Sequence, residues 1–181
     1  MRIALIVVLS LVLLLAVALI IGSRLPKTHV AASRIRLRAR PEEIWRILTD
    51  FEHYPDWRLG LKRVEVCQGE DGKPMWIEVC SRHCKIPFKV VESRPPHWLV
   101  TQIADPKLPL VGRWTYELEE ENGTTVVTIT ETDRIFHPLF RFFTRYVISY
   151  HGAIDVFLTE LAIKLGQKAE IEHLEARYQE K

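Results

Sequence analysis

The sequence predicts an α+β domain, a curved antiparallel sheet wrapped around a long C-terminal helix, behind a single N-terminal transmembrane helix. Three observations predict it. The chain opens with an unbroken apolar run. Its middle alternates apolar and polar residues with period two between turn signals. From Pro138 onward, apolar residues recur at spacings of three and four, the repeat of one helix face.

The first element runs from Ile3 to Ile21, where only Ser10 is polar. At about 1.5 Å per residue it rises about 28 Å, close to the hydrocarbon thickness of a bilayer. Ala16-Val17-Ala18 offers small residues at the offsets of a signal-cleavage site. A cleaved signal has an apolar core of roughly 7–15 residues, however, and this run continues past that site. The expected organisation is an uncleaved anchor over 1–22, a tether over 23–29 and one folded domain over 30–181. Arg2 precedes the anchor, whereas Arg24, Lys27, Arg34, Arg36, Arg38 and Arg40 follow it. The positive-inside count therefore puts the domain on the cytoplasmic face of a single-pass membrane protein, and free cysteines agree.

SRIRLRAR, Ser33 to Arg40, alternates Ile35, Leu37 and Ala39 with arginines, the pattern of a half-buried strand. Pro41 then suits a first helical position, and Glu42 and Glu43 suit the positive end of the helix dipole. Ile44, Ile47 and Leu48 form the buried stripe, and the Tyr54-Pro55 step ends the segment in an aromatic knuckle. About six antiparallel strands follow. Asp71-Gly72 and Asn122-Gly123 are hairpin signals. Symmetric pairing about the first sets Val66 against Ile77 and Val64 against Val79, with Glu65 and Glu78 on the polar face. Pairing about the second sets Leu118 against Val127, Tyr116 against Ile129 and Trp114 against Glu131. Pro95-Pro96 makes a third turn, placing Phe88 near Ile103 and Val90 near Thr101. The last element runs from Pro138 to about Tyr178 as one helix, or two bent near Gly152, with its final turns in solvent.

Composition excludes several functions. A net charge of +2 with mixed signs lacks the basic stripe of a nucleic-acid binder. Three cysteines are too few for a disulfide framework, and CSRHC has no second ligand pair at zinc spacing, so neither a metal nor a cofactor is expected. Neither a glycine-rich phosphate loop nor a nucleophile elbow occurs. Glu131 is the sharpest candidate for chemistry. Its register turns it to the apolar face, where burial would raise its pKa and suit it to acid–base work. The alternative is a wet rim where Glu131 and Asp133 pair with Arg134 or Arg141. His137 suits a helix start, and His151 with Asp155 one turn on suits a structural pair.

PEEIWRILTDFEHYPDW after a strand, RWTYELEEENGTTVVTITE, and the C-terminal helix together resemble the START-like, or SRPBCC, superfamily with its helix-grip fold. The similarity covers about Val30 to Gly166 and is nearest to the polyketide cyclase/dehydrase-like branch, which includes anchored bacterial members. Members hold lipids, sterols, quinones or polyketides under the long helix, so the resemblance implies a hydrophobic small-molecule or lipid ligand beside the bilayer. Coenzyme-Q-binding relatives have a similar Tyr-Pro and Trp, here Tyr54, Pro55 and Trp57. The superfamily shares no catalytic motif, so no active site is carried over. The expected pocket residues are Trp57, Phe88, Ile103, Trp114, Tyr116, Ile129, Glu131, Tyr150 and Ile154. Two alternatives remain, a cyclase or dehydratase using Glu131 with His151 or Tyr116, and a partner-binding or chaperone-like module.

Overall fold

The computed structural model describes residues 2–69, 72–82, 84–108 and 110–175. An apolar helix, α1 (Arg2–Arg24), leads directly into the first strand, β1 (Thr28–Leu37). α2 (Pro41–Thr49) and a 3₁₀ turn (Phe51–Asp56) follow. Then come β2 (Arg63–Gln68), β3 (Pro74–Ser81), β4 (Cys84–Arg94), β5 (Trp98–Ile103), β6 (Leu110–Glu121) and β7 (Thr124–Ile135). α3 (Pro138–Phe143), a π turn (Thr144–Ile148), α4 (Gly152–Lys164) and β8 (Ile171–Leu174) complete the chain.

The strands form one antiparallel sheet in the order β2-β3-β4-β5-β6-β7-β1-β8. Strand direction gives the molecule two ends. β1, β4 and β6 begin at the end where α1 enters, and β3, β5 and β7 finish there. The opposite, distal end carries the Asn122-Gly123 turn and α2. There Leu37, Ile44, Leu48, Leu118 and Val127 pack into a continuous core. Each such side chain is worth about 1.5–3 kcal/mol of burial.

The Asn122-Gly123 hairpin pairs as the sequence predicts: Leu118 with Val127, Tyr116 with Ile129, Trp114 with Glu131. So does the Pro95-Pro96 turn, with Phe88 opposite Ile103 and Val90 opposite Thr101. The β2–β3 hairpin does not. Val66 faces Trp76 and Val64 faces Glu78, one residue away from the expected register. Loop length is the cause. Gly69 donates to Lys73 O at 2.9 Å and Gly72 to Gly69 O at 3.0 Å, which leaves three residues in the loop rather than two. Gly72 takes the left-handed position at φ 75°. Asp71 itself lies outside the described residues. A one-residue slip exchanges faces, so Glu78, expected on the polar face, turns inward together with Trp76.

The C-terminal segment also departs from expectation. The chain breaks at Ser149, φ 72°, and α4 runs only 13 residues. It ends in a Schellman cap, with Gly166 N–H donating to Ile163 O at 2.9 Å and Gln167 N–H to Ala162 O at 2.8 Å. Gly166 at φ 69° reverses the chain, and Ile171–Leu174 returns as an edge strand along β1. The expected projecting helix end is thus β8. Tyr178 and His83 lie outside the described residues.

Candidate functional site

Toward the end where α1 enters, the sheet and α4 enclose a hollow of about 500 Å³. α4 presents Ala153, Val156, Phe157 and Glu160 to it, positions i, i+3, i+4 and i+7 of one face. The inner wall is aromatic. Phe157 meets Trp114, Tyr116 and Tyr54 edge-on at centroid distances of 5.6, 5.8 and 6.3 Å. Trp76 stacks on Phe88 at 5.4 Å and on Phe51 at 3.9 Å. Tyr54 is pinned by its hydroxyl, which donates to Leu48 O at 2.7 Å. The aromatic knuckle thus floors the hollow through Tyr54. Gly112, Gly152 and Ala153 lie toward the α1 end of the lining, where small residues keep the space open.

Two polar groups interrupt this wall. On β7, Glu131 accepts from Trp114 Nε1 at 2.7 Å. Burial, reinforced by the charge of Asp133, pushes its pKa up to about 8. Burial also raises Asp133, to about 6. Its Oδ1 is buried with no hydrogen-bond partner among the described residues, and Oδ2 lies 3.8 Å from His29 Nε2. A carboxyl that keeps its proton at neutral pH can donate a hydrogen bond into an apolar space. No arginine pairs with either acid among the described residues: Arg141 donates to Leu25 O at 2.8 Å, and Arg134 lies over the Phe136 ring at 5.6 Å.

The second polar group closes the gap between β3 and α4. Arg58 Nη1 donates to Glu78 Oε1 at 2.6 Å, and its Nε lies 3.8 Å from Glu160 Oε2. Leu59 N–H donates to Glu160 Oε1 at 2.8 Å and Trp76 Nε1 to Glu78 Oε1 at 3.2 Å. The Arg58 guanidinium also lies over Phe157 at 5.1 Å and Tyr54 at 5.3 Å. One cation thus holds two buried carboxylates and two rings together.

Residues 28–177 match the family model described as "Polyketide cyclase / dehydrase and lipid transport". The chain belongs to this family. Among solved structures, a START superfamily protein from Mycobacterium smegmatis is 14% identical at a TM-score of 0.60, covering 76% of this chain and 97% of that one. A protein from Thermus thermophilus is 17% identical at 0.61, with coverage of 76% and 97%. Norcoclaurine synthase from Thalictrum flavum, in complex with a transition-state analogue, is 14% identical at 0.60, with coverage of 76% and 94%. At these identities the likeness is one of fold. A comparison with curated proteins finds no sequence match.

In this polyketide cyclase/dehydrase-like protein, five of the expected pocket residues line the hollow: Phe88, Ile103, Trp114, Tyr116 and Glu131. Four do not. Ile129 and Ile154 are fully buried in the packed core and stay out of the lining, although Ile129 pairs with the lining residue Tyr116 and Ile154 follows Ala153. Trp57 packs edge-on against Tyr54 and Phe157 from behind, at 5.3 and 5.4 Å. Tyr150 precedes α4 and stacks on His29 at 4.2 Å. His151 is also absent from the lining. Its Nδ1 lies 3.1 Å from the Ser33 hydroxyl, which also bonds Asp155 Oδ1 at 3.0 Å, so no Glu131–His151 pair is assembled. Sequence reasoning missed Arg58, Glu78 and Glu160. Only Glu160 left a signal, as a carboxylate inside the apolar run from Phe157 to Leu161.

Proposed function

We propose that this protein binds a hydrophobic small molecule, a lipid, quinone or polyketide-like compound, in the hollow between sheet and α4. In this reading α1 keeps the domain at a membrane, on its cytoplasmic face. One observation carries the proposal: the hollow is aromatic within and lies at the end of the sheet where α1 enters. α1 is long and apolar enough to cross a bilayer. Cys80, Ile86 and Gly112 border the hollow near strand starts and ends on that same side, with Gly60 in the turn before β2. A ligand leaving the acyl chains would exchange one apolar surrounding for another, with Glu131 and Asp133 available to a polar headgroup.

Native mass spectrometry of the full chain released from nanodiscs tests this. A co-purifying apolar molecule is expected, and Ile103→Trp, which fills the hollow, should lower its occupancy about tenfold, equivalent to about 1.4 kcal/mol. Equal occupancy in both proteins would overturn the reading. A second reading, a cyclase- or dehydratase-type enzyme, is favoured by one observation: Glu131 is a buried acid facing the hollow beside Trp114 and Tyr116. Glu131→Gln with ligand retained and turnover lost would support it.

A further inference from the structure

Beyond α1, half of the large apolar side chains exposed among the described residues fall in one short segment. Phe136, Phe143, Tyr146 and Val147 are 45%, 46%, 60% and 67% exposed, all within residues 136–147. The other four, Leu59, Val66, Val156 and Ile163, are scattered. Phe142 joins Phe143 and Tyr146 by ring contacts at 5.8 and 5.1 Å, and an exposed apolar cluster on a folded domain marks a contact surface.

Three observations say what covers this one. First, α3 is fixed against the last turns of α1. Gly22 is buried at the crossing, where a Cβ would fall 2.0 Å from Pro138 O, and only a glycine permits that approach. Arg141 Nη1 donates to Leu25 O at 2.8 Å and Ile135 N–H to Lys27 O at 2.7 Å, clamping both ends of the crossing. Second, the crossing sits at one boundary of the apolar run Ile3–Ile21. A spanning α1 therefore puts α3 at the level of the headgroups and outer acyl carbons. Third, residues 134–150 contain no acidic residue and two exposed arginines, Arg134 and Arg145, besides the buried Arg141 of the crossing. Aromatic side chains with interspersed arginines suit the membrane interface, where rings sit at headgroup depth and cations meet anionic lipids.

We infer that α3 and its π turn form a second membrane contact, an interfacial segment whose Phe143, Tyr146 and Val147 enter an anionic lipid surface. The inference rests on the reading of α1 as a membrane span. It adds that the domain is held in one orientation, with the anchor-end face of the sheet against the lipid.

Hydroxyl-radical footprinting of the full chain in nanodiscs containing phosphatidylglycerol tests it. Rates are normalised to those of the urea-unfolded chain. Phe143 and Tyr146 should be oxidised at least about fivefold more slowly, as interfacial side chains are removed from water, while exposed Leu59 keeps nearly its unfolded rate. Replacing Tyr146 and Val147 together by Asp should restore Phe143 oxidation while the α1 leucines stay protected. Protected α1 leucines with freely oxidised Phe143 and Tyr146 would overturn the second contact and leave the anchor standing. Unprotected α1 leucines would overturn both. Phe143 protection that survives the double substitution would also overturn the inference.

Discussion

The two ends of the sheet solve opposite problems with the same strands. At the distal end, α2 closes the sheet and Leu37, Leu48, Leu118 and Val127 fill the interior completely. At the end where α1 enters, the same β6 and β7 pass Trp114 and Glu131 into open space, and small residues on β6 and α4 leave it unfilled. Packing density is where stability comes from; an unfilled interior with two acids in it forgoes some of that stability. The contrast locates rigidity in one half and a candidate binding role in the other.

The largest expected effect lies on the seam between the halves. Arg58→Ala would strand Glu78 and Glu160 in a buried place without their counter-ion and should cost about 3–5 kcal/mol. Urea unfolding in detergent micelles measures it, and a near-neutral result would mean the hollow does not depend on that ion cluster. Next, Leu118→Ala in the packed half should cost about 3 kcal/mol, whereas Ile103→Ala at the hollow should cost only about 1 kcal/mol, since its side chain already faces space. Equal costs would erase the contrast.

Titration should move stability less, by at most about 1.4 kcal/mol per pH unit for one group. Folded Glu131 keeps its proton up to about pH 8, while an unfolded glutamate releases it near 4.5. The folded state therefore binds more protons in that interval, and stability falls as pH rises through it. The lowered pKa of buried His29 acts in the opposite sense below about 6.5, so pH 7 to 8 is the informative window. Denaturant midpoints should drop across that window in the native chain and drop less in Glu131→Gln, where exposed His53, raised by its bond to Asp50, still titrates in the same sense. Smallest of all is Arg34→Ala, which removes the exposed pair to Glu172 (2.9 Å) joining β1 to β8. Its midpoint should match that of the native chain within error.

How much of this was legible in the sequence depended on how local the determinant was. Asn122-Gly123 specifies a two-residue turn, and every pair in β6–β7 followed from it. Around Gly72 the loop holds one residue more, a choice the dipeptide alone does not encode, and the faces of β3 were inverted as a result. The helical spacing after Pro138 was real but not continuous. Ser149 and Gly166 break it by backbone conformation, which no apolar count registers. β8 was invisible because four residues such as IEHL become a strand only when β1 offers an edge. Glu131 at the hollow was readable from register. The Arg58 cluster joins three segments and required the tertiary fold.

Only Leu25, Pro26 and Lys27 separate the end of α1 from the start of β1. Fully stretched, such a leash reaches about 10 Å, and the Lys27 carbonyl is already taken by Ile135. With α1 embedded, the domain cannot ferry cargo over an aqueous gap. It would serve as a fixed station, loading from its own leaflet and handing over only to molecules that come to it.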